Sequence, residues 1–165
     1  RRLIGAQNFG AHWVDGWTPI RDAVMTKAGR YGDLDLPLVL AVNVETFGLE
    51  VIDEMQALFG QEQFILDRDN VDVEPRMERA SNGAWIGPYG PRSRRCSGAW
   101  LFHDVTPYTV SRRTHTLYAN PWSRHPVPPS LLAVVPSAVV VDNRIQKTGS
   151  ETMGHVLGLP QAWPE

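Results

Sequence analysis

With 165 residues, of which 42% are hydrophobic and 21% charged, the chain fits one domain with a working core and an ordinary globular composition. A formal net charge of -2 excludes a global electrostatic pull towards nucleic acid or anionic membrane. A single cysteine, Cys96, excludes an internal disulfide and a multi-thiolate metal site, and no apolar run is long enough to span a bilayer.

Residues Arg1 to Trp17 are rich in Gly and Trp without periodicity, and are expected to form a loop with a short strand at Arg2 to Ile4. Thr18-Pro19 places an N-cap before a proline at the first helical position, which predicts a helix from Pro19 to Arg30. Ile20, Val24, Ala28 and Tyr31 fall on one face, with Gly29 and Gly32 as the stop. After the polar turn Asp33-Leu34-Asp35, the run Leu36 to Val44 is nearly all apolar, too short for a stable helix and bounded by turn residues, so it is expected to be a strand. Leu38, Leu40 and Val42 should face one side, Val39 and Ala41 the other, and both sides should be buried. Leu49, Ile52, Met55, Leu58 and Phe59 then recur at helical spacing up to Gly60.

Gln61 to Asn82 mixes Asp67, Asp69, Asp72, Glu74 and Glu78 with Arg68, Arg76 and Arg79, and is expected to be an exposed excursion with a short strand at Phe64 to Leu66. Further strands are expected at Ala84 to Ile86, Cys96 to Val105, His115 to Ala119 and Ala138 to Val141. The Pro-dense stretch Pro121 to Pro136 is expected to wrap the surface in extended form, and Glu151 to Leu159 to make a short terminal helix. The order predicts one α/β domain over residues 1–165: a mixed sheet of roughly five strands with flanking N-terminal helices.

Motifs for chemistry are sparse. The five histidines show no i, i+4 pair, H-x-H or HExxH, so no metal site is expected within the chain. G-x-S-x-G is absent, and Lys147-Thr148-Gly149 has phosphate-loop letters in the wrong order. Glu45, close to Asn43 just past the end of the apolar strand, stands where open α/β sheets bind ligands, and is one weak catalytic candidate. Asp142, in Asp142-Asn143-Arg144 after Val139 to Val141, is the other. Fourteen of the 16 cations are Arg, only Lys27 and Lys147 being Lys. Arg92, Arg94 and Arg95 cluster in a Gly/Pro loop beside Trp85 and Tyr89, with Arg112-Arg113 in a nearby inter-strand loop and Arg124-His125 after Trp122. Arginines interleaved with aromatics suit phosphate contact and base stacking, so Arg92, Arg94, Arg95, Trp85 and Tyr89 are the nucleic-acid-binding candidates. Cys96 is expected to be a small buried hydrophobe.

The runs KAGRYGDLDLPLVLAVNVETF, DEMQALFG, GAWIGPYGPRSRRCSGAW and LYANPWSRHP resemble uncharacterised bacterial proteins considerably longer than this chain. In those, the N-terminal half is similar to the PD-(D/E)xK restriction-endonuclease superfamily. The resemblance implies that this chain is the C-terminal half of such a protein, a fragment whose helix Pro19 to Arg30 and strand Leu36 to Val44 pack onto or complete a restriction-endonuclease-like core. The superfamily's E-x-K motif is absent: Lys27 and Lys147 are preceded at that distance by Met25 and Ile145. Mg²⁺ therefore enters only if a nuclease site is completed elsewhere. The expected function is a nuclease-like domain that binds nucleic acid without its own complete catalytic motif. A protein-interaction or small-ligand module is the alternative, and an enzyme built from scattered residues such as Glu45, Asn43 and His103 is the third reading. A bacterial-type cytosol, without membrane partners, is the expected compartment.

Overall fold

The computed structural model describes residues 15–45, 48, 50–65, 74, 76–142, 144–160 and 162–164. Helix α1 (Trp17–Arg30) buries Ile20, Val24 and Ala28, one residue per turn on a single face. It begins earlier than the Thr18-Pro19 signal predicts. The Asp15 carboxylate accepts the Thr18 N–H at 3.0 Å, and that hydrogen bond holds the Asp15 carboxyl below its ordinary range. Tyr31 does not join the buried face: it follows the helix in extended conformation and is half exposed.

Strand β1 (Leu38–Val44) leads to α2 (Val51–Phe59). A reciprocal capping box starts α2, in which the Glu50 backbone N–H donates to Asp53 Oδ2 at 2.9 Å and the Glu50 side chain accepts in return. Gly60 ends it with φ at 94°, and an added Cβ there would lie 1.9 Å from the Ala80 carbonyl oxygen.

The segment expected to be an excursion folds back on itself as a ribbon of β2 (Glu62–Ile65) and β3 (Arg76–Arg79). A second small ribbon, β4 (Ile86–Gly87) and β5 (Gly90–Pro91), follows. The main sheet is completed by β6 (Cys96–His103), β7 (His115–Ala119), β8 (Ser137–Val141) and β9 (Arg144–Thr148), in the order β1-β6-β7-β8-β9. The pairs β1/β6 and β7/β8 are parallel, and β6/β7 and β8/β9 antiparallel, so the α/β fold with a five-stranded mixed sheet expected from the sequence is present. Strand β9 is an addition, because RIQKT carries one apolar residue and reads as a loop.

One sheet face packs α1 and α2 over Leu40, Val42, Val44, Ala99, Leu101, Tyr118 and Ala138. The other covers Leu117 with Val127, Val135, Leu131 and Leu132 from the Pro-rich segment, which includes a single helical turn, α3 (Pro129–Leu132), and with Val156 of α4 (Met153–Leu157). The expectation that β1 is buried on both sides is corrected here. Leu40, Val42 and Val44 are buried, but Ala41 is exposed and Val39 only half buried, because β1 is an edge strand and the second cover does not reach its far end. Asn43 finds its partners at the strand end, exchanging hydrogen bonds with the Val105 backbone at 2.9 and 3.1 Å. Ser97, fully buried, pins the start of β1: its hydroxyl accepts the Leu38 N–H at 2.9 Å and donates to the His125 carbonyl.

The short strand expected at Arg2 to Ile4 lies outside the described residues. Among the described residues, no helix is long and apolar enough to cross a membrane.

Candidate functional site

The sheet register sets up the first of two sites. Leu40, Ala99, Tyr118, Ala138 and Lys147 stand opposite one another across all five strands, on the face that α2 covers. His103 lies on the same face at the last position of β6, opposite Val44. Glu54, on the underside of α2, drops into this layer and is 1% exposed. Its Oε2 accepts the Tyr118 hydroxyl and lies 4.0 Å from Lys147 Nζ, while Oε1 is 2.5 Å from His103 Nε2. Despite that approach Oε1 has no aligned hydrogen bond. A carboxylate removed from water requires such partners. The same burial, together with the carboxylate, raises the Tyr118 phenol well above its ordinary range and keeps it a donor. The Lys147 ammonium also sits 5.4 Å from the Tyr118 ring centre.

The sequence reading named His103 but missed Glu54, Tyr118 and Lys147. Glu54 is one of two acids in the first turn of an ordinary amphipathic helix, and nothing local marks it as facing inward. Of Asn43, Glu45 and His103, grouped only as scattered residues from sequence, Asn43 and Glu45 pair at one end of the sheet, while His103 ends the neighbouring strand on the opposite face. The Asn43 amide donates to Glu45 Oε1 at 3.1 Å, and β1 and β6 end side by side.

The second site lies at the other end of the same strand pair. Arg94, Arg95 and Arg124 line a cavity of about 280 Å³ with Ser93 and with Met25, Ala28 and Gly29 of α1. The Arg94 Nε donates to the Trp122 carbonyl at 3.1 Å, and the Arg124 backbone N–H to the Arg94 carbonyl at 2.8 Å, which ties the two arginine segments together. Arg124 Nη1 donates to both Asp33 oxygens, at 3.0 and 3.2 Å.

The remaining candidates are dispersed. Arg92 spends its guanidinium on the Gly83 carbonyl through Nε and Nη2, and serves the loop. Trp85 is fully buried against Phe59, ring centres 5.1 Å apart, so it offers no platform for a base and is withdrawn as a stacking residue. Tyr89 is fully exposed in the turn between β4 and β5. Arg112 and Arg113 follow the far end of β6 and are not near the arginine cleft, contrary to the sequence expectation. Asp142 has φ at 48° in the turn joining β8 to β9. Glu45 follows the edge strand β1 and Asp142 follows β8, three strand spacings or at least about 14 Å away, so the two cannot share a metal ion. Cys96 is buried, and burial pushes its thiol up to about 11, as suits a core residue and not a nucleophile. Among the described residues, no group of three or more His, Cys, Asp or Glu side chains could hold a metal ion.

No family model, curated protein or solved structure matches this chain.

Proposed function

We propose that the chain binds nucleic acid through the cleft of Arg94, Arg95 and Arg124, as a nuclease-like domain without a complete catalytic motif of its own. The observation that carries this reading is that three arginines from two segments line one cavity, with the Asp33 carboxylate paired to one of them, Arg124. Guanidinium forks match phosphate oxygens in pairs. The Arg124–Asp33 pair is exposed, contributes little by itself, and can yield to a phosphate. Tyr89, a few residues upstream and fully exposed, supplies a face for stacking. The reading rests in part on the resemblance of the sequence to proteins with a nuclease-like half, from which this chain departs in lacking the E-x-K motif.

The test is titration of a fluorescent single-stranded oligonucleotide at low salt, followed across a salt series. The Arg94→Ala/Arg95→Ala variant should bind more weakly whatever the sequence, and each lost phosphate contact should flatten the slope of log K against log salt by about 0.7. Added Mg²⁺ should produce no cleavage. An unmodified chain that fails to bind at low salt overturns the proposal.

One observation favours the alternative of a protein-interaction module. Phe64 and Met77 face each other across the β2/β3 ribbon, and both are largely exposed. Loss of a protein partner on Phe64→Ser/Met77→Ser, with oligonucleotide binding absent, would put this reading ahead.

A further inference from the structure

We infer that the cleft of Arg94, Arg95 and Arg124 takes the terminal phosphate of a nucleic-acid strand, a phosphomonoester, in preference to the diester linkages along it. The inference rests on the nucleic-acid reading of this cleft and deepens it. Diester backbones are followed by grooves that track successive phosphates. Here the arginines line one cavity of about 280 Å³, with Met25, Ala28 and Gly29 of α1 as a wall, which suits the end of a strand. The turn that carries two of the arginines supplies backbone donors as well. Ser93 has φ at 52°, and the Cys96 N–H closes the turn onto the Ser93 carbonyl at 2.9 Å. Among the described residues, the N–H groups of Ser93, Arg94 and Arg95 donate to no acceptor. Successive free N–H groups beside a left-handed residue form the kind of concavity that holds the oxygens of an anion. Arg94 is held through Nε by the Trp122 carbonyl and Arg124 by Asp33, whereas the Arg95 side chain has no hydrogen-bond partner among the described residues.

The charges around the cavity select the monoester. Arg94, Arg95 and Arg124 are joined by Lys27 and Arg30 in the last turn of α1. Against them stand Asp33, paired with Arg124, and Asp35. The carbonyl end of α1 adds the equivalent of roughly half a negative charge. Arg92 and His125, next to the lining residues in sequence, add no negative charge. Five cations against two carboxylates and the helix end leave an excess of about two positive charges. A diester linkage brings one negative charge, whereas a terminal phosphomonoester brings nearly two at neutral pH together with three acceptor oxygens. The terminal group therefore satisfies both the charge excess and the free N–H donors of the turn.

The test compares internally labelled single strands of one sequence, with a 5′-phosphate, a 3′-phosphate or hydroxyls at both ends, titrated with the full chain at low salt. A phosphorylated strand should bind at least about fivefold more tightly than the hydroxyl form, the factor that one added charge gains at contact distance even in water. Arg95→Gln should remove that preference. So should Gly29→Leu, which fills open space beside the cavity without changing any charge. Asp33→Asn, at an exposed side chain that competes for Arg124, should tighten the phosphorylated strand severalfold. Arg112→Gln, at the far end of the sheet, should leave the preference unchanged. A nucleoside monophosphate should compete, but more weakly than the phosphorylated strand. Equal binding of all three strands overturns the inference and leaves the nucleic-acid reading standing, whereas binding of none overturns both. A preference that survives both Arg95→Gln and Gly29→Leu puts the terminal phosphate elsewhere and overturns the inference. A nucleoside monophosphate that binds as tightly as the phosphorylated strand makes the ligand a free nucleotide, and overturns it too.

Discussion

The Tyr118 hydroxyl donates to Oε2 of Glu54, joining the middle of the sheet to the helix above it through two side chains that are 0% and 1% exposed. The pair is separated by 64 residues in sequence and belongs to β7 and α2. Replacing Tyr118 by Phe keeps the ring against Phe59 and removes only the donor. A buried hydrogen bond to a charged group is worth roughly 1.5–3 kcal/mol, so Tyr118→Phe should lower unfolding stability by that amount in a urea titration. A change below a few tenths of a kcal/mol would show that Glu54 recovers a partner elsewhere.

Ser97 is expected to matter for stability although it belongs to no motif. Ser97→Ala leaves the Leu38 N–H and the His125 carbonyl without their partner in a buried place. The expected cost is about 1–3 kcal/mol. Hydrogen exchange supplies the second readout: the Leu38 amide should lose protection while the amides of β7 keep theirs.

Gly60 tolerates no side chain. Its positive φ costs an L-residue strain of about 1–3 kcal/mol, and the Cβ contact with the Ala80 carbonyl adds to it. Gly60→Ala should therefore destabilise by more than the strain alone, while Gly29→Ala, with open space around its Cβ, should be neutral or stabilising. Thermal melting of the two variants side by side checks the contrast.

Acidification should destabilise the protein through His115. The ring is buried on the Pro-rich side of the sheet, and its Nδ1 accepts the Trp100 indole N–H at 2.8 Å. A proton on Nδ1 would set two donors against each other. Burial holds the imidazole below its ordinary range. The unfolded chain therefore binds a proton more readily, and stability rises with pH in that window. The contribution is complete above about pH 6.5 and is lost as pH falls through the depressed folded value. His115→Asn, which keeps an acceptor without the titration, should flatten the urea midpoint between pH 5 and 7.5. Equal pH slopes in both proteins would count against His115.

The architecture was legible where residues repeat an environment. Ile20, Val24 and Ala28 recur at helical spacing and are buried; Cys96 to His103 and His115 to Ala119 are apolar enough to mark the central strands. What escaped the sequence depends on contacts distant in the chain. Strand β9 is polar because it is the far edge, and the exposed far side of β1 follows from its place at the near edge. Of the basic candidates, Arg94 and Arg95 share a cleft with Arg124, but Arg92 and Trp85 are turned to structural tasks that composition does not reveal. Glu54 was illegible for a related reason: a single acid on an amphipathic helix looks solvent-facing until the sheet supplies Tyr118, Lys147 and His103.

The strand order also sets the order of assembly. Strands β8 and β9 pair across a tight turn and can form within microseconds, as local hairpins do. The parallel pair β1/β6 joins residues such as Leu38 and Ser97, 59 apart in the chain, and closing a loop of that length costs roughly 4 kcal/mol before any contact offsets it. The antiparallel pairs β6/β7 and β8/β9 are thus the early templates, and docking of β1 with its two helices is the late step. Destabilising changes in β1 should accelerate unfolding and leave the refolding rate nearly untouched, whereas changes in β7 should slow refolding.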